Sequence, residues 1–357
     1  MPRLLVNLSN IRRNAKAICG FCGTHGISVA GVVKGACGAI PVARAVLEGG
    51  CAQLASSRLS QLEAIREALP EASTLLIRMP LPAEADRVVR ACDLSLNTEE
   101  RTLRALSDAA VAAGVTHGVI LMVELGDLRE GIASREALTE LAKIAEGLPG
   151  LHLAGVGGTL NDIYGVSPSA ENMGALVSAF RAAEEAVGRK LDILSGGSTT
   201  ALPMLLKGEL PPEINHLRVG EAILTGRDLP DLWGTQVPGC GCDTLQLEAT
   251  VIEHNRKPTR PWGLRSQNGF GEQPPLPPDR GIRERAILDL GRCDVGEVSQ
   301  LICPEGVSII GASSDHLVVD VQDRPGLQVG DRVAFRLFYQ GMLFSFHSPD
   351  VEKIYTE

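Results

Sequence analysis

The sequence predicts an α/β plus β protein: an N-terminal (β/α)8, TIM-like barrel over residues 10–228, then a smaller all-β domain over residues 229–357. Three observations carry this. Between about residues 10 and 225, short apolar β-type runs alternate eight times with alanine-rich helical stretches, the pattern of parallel strands joined by crossover helices. Eight evenly spaced units over about 215 residues suit a closed barrel better than an open doubly wound sheet. Past residue 281 no helical period is evident, and short alternating strands follow one another.

The opening "RLLVNLS" reads as a strand outside this rhythm, and residues 1–9 are expected to add it to the second domain. The barrel strands are then "ISVAGVVK" (27–34), "AQLASS" (52–57), "TLLIRM" (74–79) and "DLSLN" (93–97), followed by "GVILMVEL" (118–125), "LAGVGG" (153–158), "LDILSGG" (191–197) and "HLRVGEAIL" (216–224). Segments such as "SRLSQLEAIREAL" and "TEERTLRALSDAAVAAG" supply helices between them. Residues 226–281 turn rich in proline and glycine around one β-type run, "TLQLEATVIEH". The strands of the last domain are "RAILDLG", "VSIIGASS", "HLVVDVQD" and "DRVAFRLFY", with "GLQVGDRV" as a turn between two of them.

Composition narrows the function. At 44% hydrophobic but only 3% aromatic, 357 residues make a large aliphatic core. A net charge of -9 argues against a general nucleic-acid binder. No charged leader with an apolar segment opens the chain and no apolar run reaches about 18 residues, so a soluble, cytoplasmic protein without a membrane partner is expected. The nine cysteines are odd in number and scattered. Neither "CGFC" (19–22) nor "CGC" (240–242) has a second pair at zinc-site spacing, so reduced thiols and no metal are expected.

Barrel enzymes place their chemistry at the C-terminal ends of the strands, often with a phosphate held after strands 7 and 8. Lys34 ends the first strand. Taken alone, a strand-end lysine reads as a stem on apolar surface with its head in water. Its company changes that reading. "LGDLREG" after the fifth strand offers Asp127 and Arg129, "SGGSTT" (195–200) follows the seventh, and "LRVGEA" in the eighth carries Arg218 and Gly220. The glycine-flexible "SGGST" turn ahead of a helical stretch is an anion site in the making. A mouth lysine facing a phosphate cradle, with two arginines between, is what a lysine-bound aldehyde with a phosphate tail requires: pyridoxal 5'-phosphate.

Through "VVKGAC", "VELGDLREG", "SGGSTT", "LRVGEAILTGRD", "GIRERAILDLG" and "GASSDHLVVDV", the chain resembles the alanine racemase-like, fold type III pyridoxal phosphate enzymes along both domains. Within them it is most similar to the ornithine racemase branch. The resemblance implies that Lys34 carries the cofactor's aldehyde carbon, that Arg218 faces the pyridine nitrogen, and that Arg129 lies near the phenolic oxygen. It further implies that Ser198 and Thr199, with the backbone of Gly220 and Glu221, cradle the phosphate. It also implies a homodimer in which "SSDH" (313–316) of one subunit reaches the substrate mouth of the other. Two departures stand out. Gly38, preceded by Cys37, replaces a phosphate-binding tyrosine, and Phe270 stands near the position of the tyrosine that serves as second base.

The expected reaction is interconversion of the L and D forms of a basic amino acid, most simply ornithine, with lysine, arginine or alanine as alternatives. Lys34 would work one face of Cα and a second group the other. Histidine is the side chain suited to proton transfer near neutral pH, and His316 is the candidate for that group, ahead of Cys37. A cationic substrate side chain wants a carboxylate, for which Asp315 leads and Glu221 follows. A decarboxylase on this fold would present a carboxylate, not an arginine, to the pyridine nitrogen. A metal-assisted D-amino-acid lyase would need a histidine and a cysteine soon after "VGDRV", and "AFRLFYQGMLF" has neither. A non-catalytic cofactor carrier would be the barrel alone.

Overall fold

The computed structural model describes residues 1–357. Strand β1 (Arg3–Asn7) stands apart from eight parallel strands: β2 (Ser28–Val32), β3 (Gln53–Ser56), β4 (Thr74–Leu76), β5 (Leu94–Asn97), β6 (His117–Met122), β7 (Leu151–Gly157), β8 (Ile193–Ser195) and β9 (His216–Val219). These eight pair in order and close as β9 returns to β2, with Val29 opposite Leu217. The barrel is filled from every side by aliphatic residues, among them Val32, Leu75, Leu96, Ile120 and Met122, all buried, as an alanine- and leucine-rich chain with few aromatics demands. Between β6 and β7 the register shifts, so that Val119 faces Leu153 while Ile120 faces Gly155. Ala154 is the extra residue of this bulge. Gly155 permits it: a Cβ there would stand 1.8 Å from the carbonyl oxygen of Ile193.

Helices lie between the strands as the periodicity requires. The first, α1 (Leu8–Gly23), buries Ile11, Ala15, Ile18 and Cys22 on one stripe. Asn14 on the same stripe is fully buried. Its amide donates to the carbonyl of Gly241 and its oxygen accepts from the Gly241 amide, both at 2.9 Å. This clamp ties the Pro/Gly-rich segment after residue 228 to the barrel. One compact unit accordingly runs from Leu8 to Cys242, and the other comprises Met1–Asn7 with Asp243–Glu357.

In the second unit β1 pairs antiparallel with β10 (Leu245–Pro258) and parallel with β16 (Glu352–Thr356). A register shift between Val251 and Glu253 divides β10. Its first half also pairs with β15 (Arg332–Leu337), and its second with β11 (Ile282–Leu288), which continues to β14 (Leu317–Asp320) and β13 (Ser308–Ala312). Strand-rich as expected, this unit is not purely β. "YQGMLFSFH" forms a helix over Tyr339–His347, which the sequence masked because an apolar stretch without a polar face shows no helical period. No helix is long and apolar enough to cross a membrane.

Candidate active site

Strand β2 stops at Val32, and Lys34 opens a single 3-10 turn, Lys34–Ala36, instead of ending the strand. The turn closes through Cys37 N–H to the Lys34 carbonyl and Gly38 N–H to the Val33 carbonyl, each 3.1 Å. Cys37 and Gly38 both adopt positive φ. A Cβ at Gly38 would meet Gln61 Cβ at 2.7 Å, so this backbone has no place for the larger residue expected there. Lys34 is partly buried, and its pKa is lowered, chiefly by burial and next by the Arg129 guanidinium. Asp162 and Glu130 pull it back up, and Arg218 lowers it further. A lysine so placed is biased toward its neutral, nucleophilic form.

Arg218 is 5% exposed and its pKa is lowered to about 10 by burial. It donates to the Ser195 hydroxyl and, at 2.8 Å, to the Gly158 carbonyl. A line of hydrogen bonds runs on beneath it. His216 Nδ1 lies 2.8 Å from Ser195 Oγ, His216 Nε2 lies 3.2 Å from Gln53 Oε1, and Gln53 Nε2 donates to Ser73 Oγ at 3.2 Å. Among neutral forms of the ring, only one proton arrangement satisfies all of them. The amide oxygen of Gln53 can only accept, so Nε2 carries the proton and Nδ1 accepts from Ser195. Burial, followed by the Arg218 charge, pushes the His216 pKa down to about 3 and keeps the ring neutral. His117, against Ser95 and the Cys92 carbonyl, is pushed down to about 4, chiefly by burial.

Both rings are expected to stay neutral at pH 5, with His216 as the Nε2–H tautomer, in imidazole 15N spectra. A protonated-ring shift for His216 at that pH would rule the arrangement out. Because the folded values lie below the unfolded one near 6.5, stability is lost as pH falls from 6.5 toward them. The loss at pH 5 is about 2 kcal/mol for each ring.

Arg129 and Glu130 follow β6, and Asp162 follows β7. Arg129 Nε and Nη2 grip the two carboxylate oxygens of Glu130, and Nη1 reaches Asp162 at 2.6 Å. Two guanidinium N–H groups are thereby committed to Glu130 and Nη1 is ion-paired with Asp162, and the others remain for a ligand anion. The sequence reading marked Arg129 but missed both carboxylates, since nothing in "DLREG" or "TLND" signals a pairing across two loops.

The cradle is built from the ends of β8 and β9. Gly197 sits at φ 112, outside the range of side-chain-bearing residues, and a Cβ on Gly196 would meet Ile214 Cγ2 at 2.6 Å. This glycine pair turns the chain into the Thr199–Ala201 turn. Ser198 Oγ and Thr200 Oγ1 lie 3.2 Å apart, and Thr199 Oγ1 accepts from the Ala222 amide at 3.3 Å, joining the two loops. No main-chain carbonyl engages the amides of Ser198, Thr199 or Glu221, as expected at the starts of helical turns. Gly220 opens the turn Glu221–Leu224. The Glu221 carboxylate is buried and accepts from the Thr225 hydroxyl and the Arg227 and Asp228 amides. All three bonds fall on Oε1, which holds the turn, while Oε2 is buried without a partner.

Asp315 and His316 belong to the second unit, in the exposed turn between β13 and β14. They do not pair with each other. Asp315 accepts from Ser314 Oγ at 2.6 Å, and His316 Nδ1 lies 3.4 Å from Ser313 Oγ. Phe270 lies in the same unit, its ring 4.2 Å from the Arg292 guanidinium. Arg292 in turn makes two 2.9 Å bonds to Glu272.

Residues 6–228 match the family described as alanine racemase, N-terminal domain. The chain is 34% identical over 353 residues to an ornithine racemase of Acetoanaerobium sticklandii, covering 99% of both chains. It is 33% identical over 354 residues to a lysine racemase of Thermotoga maritima, covering 99% of this chain and 98% of that one. Among solved structures, an alanine racemase from Streptomyces lavendulae shares the fold at TM-score 0.79 and 18% identity, covering 100% and 97% of the two chains. A D-threonine aldolase from Filomicrobium marinum does so at 0.73 and 17%, covering 97% and 90%.

Proposed function

Because the chain belongs to the alanine racemase family, we propose that it interconverts the L and D forms of a basic amino acid, ornithine first and lysine second. It is a pyridoxal phosphate-dependent amino-acid racemase. The choice of ornithine rests on one observation, the 34% identity to an ornithine racemase over nearly the whole of both chains. A lysine racemase at 33% keeps lysine close behind.

The chain's own residues fit the cofactor. Lys34 is held toward its neutral form, Arg218 is a buried group that can donate but not accept, and the amides of Ser198, Thr199 and Glu221 are open to a phosphate. When bound, pyridoxal phosphate supplies an aldehyde for the substrate amine and a ring that draws electrons from Cα. Lys34 Nζ takes the Cα proton from one face, and a second group delivers a proton to the other. Arg218, which offers donors and no acceptor, keeps the ring nitrogen unprotonated. That restrains the pull on Cα and disfavours decarboxylation and transamination. Ser198, Thr199, Gly220 and Glu221 would hold the phosphate through hydroxyls and amides, and Arg129 would orient the phenolic oxygen.

For the opposite face we assign His316, with Asp315 as partner for the substrate's terminal ammonium. Both are contributed by a second copy in a head-to-tail homodimer. Phe270 has no proton to give. Nine free cysteines favour a reducing, cytoplasmic setting.

Circular dichroism of L-ornithine incubated with the loaded enzyme tests the substrate. The signal is expected to decay to zero while the amino acid is conserved. Persistence with ornithine and decay with L-lysine would transfer the assignment to lysine, and persistence with both would end it.

A further inference from the structure

The conspicuous group left unused by this account is Asp127. It lies in the loop after β6, two residues before Arg129, and is 2% exposed. A carboxylate so buried needs compensation, yet no cation pairs with it. Four main-chain amides do the work instead. Oδ2 accepts from Asp162 and Ile163 at 2.7 and 2.8 Å, and Oδ1 accepts from Tyr164 and Val166, both at 3.1 Å. The loop after β7 is thus wrapped around one side chain of the loop after β6. Wrapping turns the backbone inward and leaves the side chains of Ile163 and Tyr164 60% and 71% exposed.

The first amide in this wrap belongs to Asp162. Its own carboxylate is oriented on both sides, accepting from Thr159 Oγ1 at 3.0 Å through Oδ2 and meeting Arg129 Nη1 at 2.6 Å through Oδ1. Arg129 and Asp162 both act on Lys34, so this latch borders the site. We propose that Asp127 is a positioning residue for racemisation: by gathering the amides of residues 162, 163, 164 and 166 it sets Asp162 against Arg129, and so aims the guanidinium's remaining N–H groups into the barrel mouth. This rests on the racemase reading above and adds to it how the arginine is aimed.

Asp127→Asn tests it, because one acceptor oxygen becomes a donor facing amides that also donate. In the pyridoxal phosphate-loaded enzyme, hydrogen exchange is expected to quicken at residues 162–166. The pH midpoint of the bound cofactor's absorbance change is expected to shift, and kcat/KM to fall about 10- to 100-fold. In an Arg129→Ala background the same substitution is expected to add no further loss of kcat/KM. Asp162→Asn is expected to reproduce the spectral and kinetic changes while leaving exchange slow, and it decides the matter if Asp127→Asn does not fold.

Unchanged exchange in Asp127→Asn would overturn the proposal. So would faster exchange with unchanged spectrum and kinetics, or losses that multiply with Arg129→Ala. Exchange and absorbance need no substrate, so a wrong choice of amino acid leaves these two readouts intact.

Discussion

Lys34→Ala is expected to lower racemisation by about 10,000-fold without unfolding the protein. The lysine sits in a single helical turn whose two closing hydrogen bonds are main-chain to main-chain, and its side chain is only partly buried. The fold therefore asks nothing of the ammonium. The chemistry asks everything, because in the proposed mechanism the same Nζ both holds the cofactor and moves the Cα proton. Two measurements check this together. Absorbance near 420 nm, an approximate value for a lysine-linked pyridoxal, is expected to be missing after gel filtration of the Lys34→Ala protein. Circular dichroism of the amino acid is expected to stay constant. A retained band with a rate within tenfold of the parent would return Lys34 to the role of a snorkelling side chain.

Arg218→Ala is expected to cost about 100- to 1,000-fold in kcat and to change what the enzyme makes. Removing the guanidinium frees the ring nitrogen to take a proton, which strengthens the pull on Cα and opens loss of the amino acid to keto acid or amine. Total amino acid measured alongside optical activity separates these outcomes, and conserved amino acid at an unchanged rate would remove Arg218 from the mechanism. Stability falls as well, since the Gly158 carbonyl loses its donor at a cost of about 1–3 kcal/mol. Arg218→Lys keeps a charge but not the fork. One ammonium cannot serve Ser195, Gly158 and a ring nitrogen from the rigid geometry that guanidinium provides. Its rate is expected to stay near that of Arg218→Ala.

Much of this site was legible before any coordinates. Strand–helix alternation is a local property, so eight repeats announce a barrel, and barrel geometry then tells which residues reach the mouth. Lys34, Arg129, Ser198, Thr199 and Arg218 follow from that rule and from the motifs around them. Other features are not written locally. Asp162 on Arg129 joins two loops more than thirty residues apart. Ser195 and His216 come from β8 and β9, and Gln53 from β3, which comes within reach of His216 only on closure. The helix at Tyr339–His347 was hidden because its buried stripe includes Gly341 and Ser345 while Phe344 faces out, so hydrophobicity does not follow the helical period.

By itself, then, the sequence determined the barrel, the strand-rich second domain and the residue types at the strand ends, because periodicity and strand polarity are carried by neighbours along the chain. Only the tertiary structure decided their electrical state. Lys34 is pushed toward neutrality by burial and by Arg129 and Arg218, His216 is fixed as one tautomer by Gln53 and Ser195, and Asp127 stays charged by collecting amides from another loop. Each depends on the Coulomb field and solvent exclusion at a point in space, to which residues distant along the chain contribute as much as adjacent ones.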